Sequence, residues 1–90
     1  MTQYSLKIHK QVKKFLLSLS PEWRNRFHDK LEILRQNPRD SKQLDIKLMQ
    51  GTGDQLYRLR IGLYRLSYQI VDQELVVFLM TAGSRGDVYK

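Results

Sequence analysis

Along this chain the spacing of apolar residues switches between two periods, and each switch marks an element. Residues 4–8 alternate, with Tyr4, Leu6 and Ile8 set against Ser5 and Lys7, the two-residue period of a half-buried strand. From His9 the period lengthens. Val12, Phe15, Leu16 and Leu19 fall at i, i+3, i+4 and i+7 while Lys10, Lys13 and Lys14 take the other side, which predicts a short amphipathic helix. Ser20 before Pro21 is a start signal for a second helix, a hydroxyl cap followed by a residue whose φ is already helical. Its apolar stripe is Trp23, Phe27, Leu31 and Leu34, and it runs to about Gln36. Asn37 before Pro38 ends it, because a residue preceding proline disfavours the helical region.

Residues 39–55 are polar, with Leu44, Ile46 and Leu48 as an apolar anchor set and Gly51 and Gly53 near the end. They read as a connection that can hold an extended piece. Three strand-like runs follow, 56–61, 64–71 and 74–80, separated by Gly62-Leu63 and Asp72-Gln73, both short enough for hairpins. An antiparallel meander is the simplest arrangement. The last run is apolar on both faces, which predicts a central place in the sheet. Residues 81–90 form a tail with Gly83 and Gly86. The expected fold class is therefore α+β: an N-terminal strand, two packed helices, then a three-stranded antiparallel meander.

Ninety residues suit one domain spanning 1–90 with one modest core. No apolar run approaches 18 residues, and the first ten carry neither an apolar h-region nor a small-residue cleavage site, so a cytoplasmic protein that leaves membranes alone is expected. The absence of cysteine removes disulfides and thiolate chemistry, and His9 and His28 are too far apart in sequence for a ready metal nest. Neither a metal nor any other cofactor is expected. Charge changes the picture more. Lys and Arg number 16 against 9 Asp and Glu, a formal net charge of +7, which attracts polyanions such as nucleic acid but equally suits an acidic protein or an anionic membrane surface, so charge alone does not choose.

The strand period shows where that charge gathers. In 56–61, Tyr57, Leu59 and Ile61 share one face and Leu56, Arg58 and Arg60 the other. In 64–71, Tyr64, Leu66, Tyr68 and Ile70 oppose Arg65, Ser67 and Gln69. If the apolar faces pack on the helices, Arg58, Arg60 and Arg65 converge on an open face, which Arg85 and Tyr89 can reach from the tail. Arginines on a solvent face often do no more than keep a sheet soluble. Here, however, no carboxylate falls between Leu56 and Asp72, and guanidinium favours paired contacts with phosphate oxygens. A phosphate site is the better account.

Two blocks carry a resemblance. Leu56-Tyr57-Arg58-Leu59-Arg60-Ile61-Gly62-Leu63-Tyr64-Arg65-Leu66-Ser67-Tyr68 and Gly83-Ser84-Arg85-Gly86-Asp87-Val88-Tyr89-Lys90 resemble the signature segments of the RelE branch of the RelE/ParE toxin superfamily. The piece from Lys47 and Leu48 to Gly51 is similar to the segment leading into that family's second strand. The resemblance implies the toxin of a type II toxin-antitoxin system, a metal-independent endoribonuclease that cuts messenger RNA in the ribosomal A site by attack of a 2′-hydroxyl on the adjacent phosphate. It implies that Arg65 holds the scissile phosphate, that Arg85 lies beside the leaving oxygen, and that Tyr89 stacks on and orients the nucleotide. Arg58 and Arg60 stand where well-known members carry lysines. Guanidinium keeps its proton, so a base role does not transfer to them, and they are assigned to substrate binding and charge stabilisation. The implied partners are a small acidic antitoxin, the ribosome and messenger RNA.

Other residues read as structural. His9 and His28 suit a cap or a surface, Tyr57, Tyr64 and Tyr68 face the core, and Ser84 has no neighbouring histidine to activate it. Two further functions share the fold: a ParE-like inhibitor of DNA gyrase, and an inactive basic module that binds RNA or an antitoxin.

Overall fold

The elements follow the local signals closely. The computed structural model of the chain describes residues 3–50 and 55–84. Strand β1 (Ser5–Ile8) leads through His9, whose side chain caps helix α1 (Lys10–Ser18) by accepting from the Gln11 amide at 3.1 Å. Ser20 caps α2 (Pro21–Gln36) with proline at its start, and Asn37 closes it. Strands β2 (Asp45–Gln50), β3 (Gln55–Ile61) and β4 (Tyr64–Val71) follow. A 3-10 turn (Asp72–Glu74) then leads to β5 (Val76–Ser84).

The strands form one sheet in the order β1-β5-β4-β3-β2, with β1 parallel to β5 and every other pair antiparallel. The expected meander is β3-β4-β5, and the extended piece of the connection adds β2 to it. Besides β5 starting at Val76 and running on to Ser84, through residues expected to belong to the tail, three details differ from expectation. The central strand is β4, and β5 lies one step away, between β4 and β1. The β4–β5 link is longer than a two-residue hairpin, because the 3-10 turn is followed by Leu75 in the left-handed region at φ 53°. Leu48 is no anchor: it points to the helix side but stays 46% exposed, whereas Leu44 is buried.

Both helices lie on one face of the sheet. Val12, Phe27, Leu31 and Leu34 meet Leu59, Leu66, Tyr68, Ile70, Val77 and Leu79 in a single core. Tyr68 is fully buried, and its hydroxyl donates to the Pro38 carbonyl at 2.7 Å. That bond meets the need of a buried polar group, and burial pushes the phenol's pKa well up, so it stays protonated. At the other end Tyr64 is the hub of an aromatic cluster, with ring centroids 5.4 Å from Phe15, 4.9 Å from Trp23 and 5.8 Å from Phe27. A polar clasp joins segments remote in sequence. Arg39 donates to both Asp72 oxygens, at 2.8 and 3.1 Å, and through Nε to Gln55 at 2.8 Å, while the Tyr4 hydroxyl donates to Asp72 at 2.7 Å.

The hairpin turn between β3 and β4 depends on glycine. Gly62 has φ +59°, and a Cβ there would lie 2.5 Å from Cη2 and 2.9 Å from Cζ3 of Trp23. Gly62→Ala is therefore expected to cost about 1–3 kcal/mol, from the left-handed backbone and from overpacking together. The same change in a Trp23→Leu background should cost less. Equal costs in denaturant melts would show that Trp23 is not the obstacle.

The clasp has a pH signature. The Arg39 guanidinium first, and then the Tyr4 hydroxyl, hold the Asp72 carboxyl below its ordinary 3.8. A lowered folded-state value stabilises fully above the ordinary value, and this is lost as pH falls through the folded one. The side chain is 58% exposed, so the pair is worth only about 0.2–1 kcal/mol. Asp72→Asn should lower the melting temperature slightly at pH 7, and the gap to the wild type should close well below pH 3.8. A gap that persists in acid would assign the loss to something other than ionisation.

Candidate functional site

A two-residue period sends alternate side chains through the sheet, and both helices cover one side, so the remaining side chains form an open face. The register places them. Asp45, Arg60, Arg65 and Gly83 form one row across β2, β3, β4 and β5, and Lys47, Arg58, Ser67 and Thr81 form the next. Direct cross-strand partners have Cβ atoms about 4.5–5.5 Å apart. The three arginines named from the sequence are thus neighbours: Arg60 opposes Arg65, and Arg58 lies one row away on the same strand as Arg60. Arg58 and Arg65 are half-buried and Arg60 is exposed. Across the sheet the face changes character, with Leu56, Gln69 and Phe78 in a row away from the β3–β4 turn.

Arg85 and Tyr89 lie outside the described residues. Within them, β5 ends with Gly83 opposite Arg65 and Ser84 opposite Tyr64, so Arg65 has backbone in place of a side chain as its neighbour on that strand. Tyr57, Tyr64 and Tyr68 face the core as expected, and Tyr57 stacks on Tyr68 with centroids 5.6 Å apart. His9 is a helix cap and His28 is exposed on α2. Among the described residues no three His, Cys, Asp or Glu side chains gather as metal ligands, and no helix is long and apolar enough to cross a membrane.

The structure adds residues that sequence reasoning passed over. Lys47 stands opposite Arg58; the alternation of Ile46, Lys47 and Leu48 carried that signal once β2 is taken as a strand. Thr81 joins the face and hydrogen-bonds to Ser67. No simple alternation finds it, because the pairing slips between Ser67 and Tyr68: Ser67 pairs with Thr81 and Tyr68 with Leu79, leaving Met80 as an extra residue. This bulge inverts which side chains of β5 face the core beyond it.

Chemically, these two rows offer cations and hydroxyl donors with Asp45 as the one carboxylate among their described residues. Arginines directly opposite one another repel, which a folded protein tolerates best where an anion is to be bound. Such an arrangement, on a five-stranded sheet with two helices on one side, makes a small cationic α+β domain with an open sheet face suited to a polyanion. The profile of the family described as ParE toxin of type II toxin-antitoxin system, parDE, matches residues 4–89. The RelE1 protein of Methanocaldococcus jannaschii is 32% identical over 98% of this chain and 97% of its own. The archaeal RelE-RelB complex from Pyrococcus horikoshii OT3 contains a chain with TM-score 0.87 and 37% identity, covering 96% of this chain and 99% of that one. A chain of the intact E. coli RelBE toxin-antitoxin complex follows with TM-score 0.72 and 29% identity, covering 90% and 95%. The chain belongs to the RelE/ParE superfamily of type II toxin-antitoxin toxins, and its fold is that of RelE.

The facing arginines make a stability prediction. Replacing Arg60, which is exposed, with Gln removes a like-charge pair without opening a cavity. Asp45 opposes Arg60 from β2, so the repulsion is read in an Asp45→Asn background, where Arg60→Gln should raise stability by up to about 0.5 kcal/mol at low ionic strength, with the gain screened away in high salt. A double variant less stable than Asp45→Asn alone at low salt would show that the pair does not repel.

Proposed function

We propose that this chain is an endoribonuclease that cuts messenger RNA in the cytoplasm, on the ribosome, and that a cognate antitoxin silences it. The observation that supports this reading best is the open sheet face, where Arg58, Arg60 and Arg65 stand on adjacent strands opposite the side that α1 and α2 cover. In the proposed reaction the 2′-oxygen of one nucleotide attacks the adjacent phosphorus, and the bond to the 5′-oxygen of the next breaks. The products are a 2′,3′-cyclic phosphate and a free 5′-hydroxyl. Arg65 holds the scissile phosphate, and Arg58 and Arg60 offset the charge that builds on its oxygens. The 2′-hydroxyl proton must go elsewhere, because guanidinium cannot accept it. By resemblance, Arg85 attends the leaving oxygen and Tyr89 the nucleotide. An acidic antitoxin suits the +7 charge of the chain, and the relatives from Pyrococcus horikoshii and E. coli occur in complexes with RelB.

The ParE description of the matching family favours a second reading, inhibition of DNA gyrase without any hydrolysis. One set of assays separates the two. Incubated with ribosomes and messenger, the purified protein should yield fragments ending in a cyclic or 3′-phosphate, and a 2′-deoxy substitution at the cut site should block them. Arg65→Ala should lower the rate by about a hundredfold or more with the fold intact. Fragments ending in 3′-hydroxyl would mean that water attacks, and inhibition of supercoiling without RNA cleavage would favour the gyrase reading.

A further inference from the structure

Among the described residues, two hollows away from the open face differ in chemistry. One, of about 700 Å³, lies between β1 and the helices and is walled by Leu6, Ile8, Leu16, Phe27 and Leu31. The other, of about 400 Å³, lies between α2 and the end of β3, where Arg26, Lys30 and Arg60 surround the Gly62 turn. Its cations come from two elements for separate local reasons. Arg26 and Lys30 are four residues apart on α2 and so share a helix face. Arg60 reaches the hollow because β2 begins at Asp45, directly opposite it, so β3 beyond that point is a bare edge. By register Arg60 belongs to the open face, and by position it also lines the crevice. It stands where the two meet.

These cations are partly held in place. The Arg26 guanidinium lies over the Trp23 ring, 4.8 Å from its centroid, an arrangement that fixes the plane and leaves the edge N–H groups to donate. Trp23 is itself packed on Tyr64. Lys30 makes one long hydrogen bond, 3.4 Å to the Gln43 carbonyl, and retains further donor hydrogens. Among the described residues neither Arg26, Lys30 nor Arg60 forms an ion pair with a carboxylate. Asp29 is the one acidic residue lining the crevice, and its side chain is 82% exposed and turned towards His28.

We propose that this crevice is a second backbone-phosphate subsite for single-stranded RNA. The strand would cross the β3 edge at Arg60, with one phosphate on the open face at Arg65 and a later one between Arg26 and Lys30. The inference rests on the RNA reading above. RNA is favoured over an acidic protein segment because the crevice shares Arg60 with the arginine face, so one polyanion can occupy both. A docking protein segment would look for apolar surface, which this molecule gathers in the other hollow.

The test uses two RNA probes made uncleavable by 2′-O-methyl groups, a trinucleotide that fits the open face alone and a decanucleotide that reaches the crevice. The Arg26→Gln, Lys30→Gln double variant should bind the decanucleotide several-fold more weakly. The slope of log affinity against log salt should fall by about 0.7, the value for one phosphate contact on a single strand. Trinucleotide binding, followed by NMR titration, should hold. Arg26→Lys with Lys30→Arg keeps both charges and should restore the slope, separating charge from any loss of fold. Unchanged decanucleotide binding, or equal loss on both probes, would overturn the subsite. So would loss of antitoxin binding with RNA affinity intact, which would make the crevice a protein contact. Failure of the RNA reading itself shows differently: Arg65→Gln would then leave both probes bound as tightly as by the wild type.

Discussion

Everything in this molecule follows from the burial of one sheet face and only one. Two helices of nine and sixteen residues suffice to cover a single face of five strands. Residues such as Leu59, Leu66, Tyr68 and Leu79, each almost fully buried, supply roughly 1.5–3 kcal/mol apiece for a fully buried large side chain. That driving force sets which way each strand turns its side chains. Slipping a strand by one residue would put arginines in the core and leucines in water. The same constraint that stabilises the fold therefore delivers Arg58, Arg60 and Arg65 to the opposite surface.

The cationic face is a place where the molecule accepts local repulsion. Arg60 opposes Arg65 directly, Lys47 opposes Arg58, and the only carboxylate in these two rows is Asp45. Elsewhere Arg35 pairs with Glu32 within α2, and Arg39 pairs with Asp72 across elements. Ion pairs stand on α2 and at the clasp, while Lys47, Arg58, Arg60 and Arg65 gather on the uncovered face and Arg26 and Lys30 around the crevice beside it. Such a division is expected where one surface is kept for a polyanion.

The sheet's ends are secured by different means. At the β3–β4 turn, Trp23 packs over Gly62 and against Tyr64, tying α2 to the hairpin that carries all three face arginines. At the other end the Arg39 clasp joins the segment before β1, the connection after α2, the start of β3 and the turn after β4. The arginine face is thus built on strands held at both ends, which limits movement of the backbone beneath it.

Much of this was legible in the chain. Alternation assigned the arginines and tyrosines of 56–71 to opposite faces, Ser20 and Pro21 marked the start of α2, and the RelE-like blocks pointed to the family. These signals are local, arising from the backbone geometry of a strand or a helix within a few residues. What only the tertiary structure decided is non-local. Strand order placed β4, not β5, at the centre, and it put β1 on the far edge, parallel to β5. The bulge at Met80 brought Thr81 onto the open face, against simple alternation. The early end of the β2–β3 pairing put Arg60 at the sheet edge, beside Arg26 and Lys30. The Arg39–Asp72 pair spans 33 residues. Each of these depends on which distant segments meet, and hydrophobic periodicity says how a segment faces without saying what lies beside it.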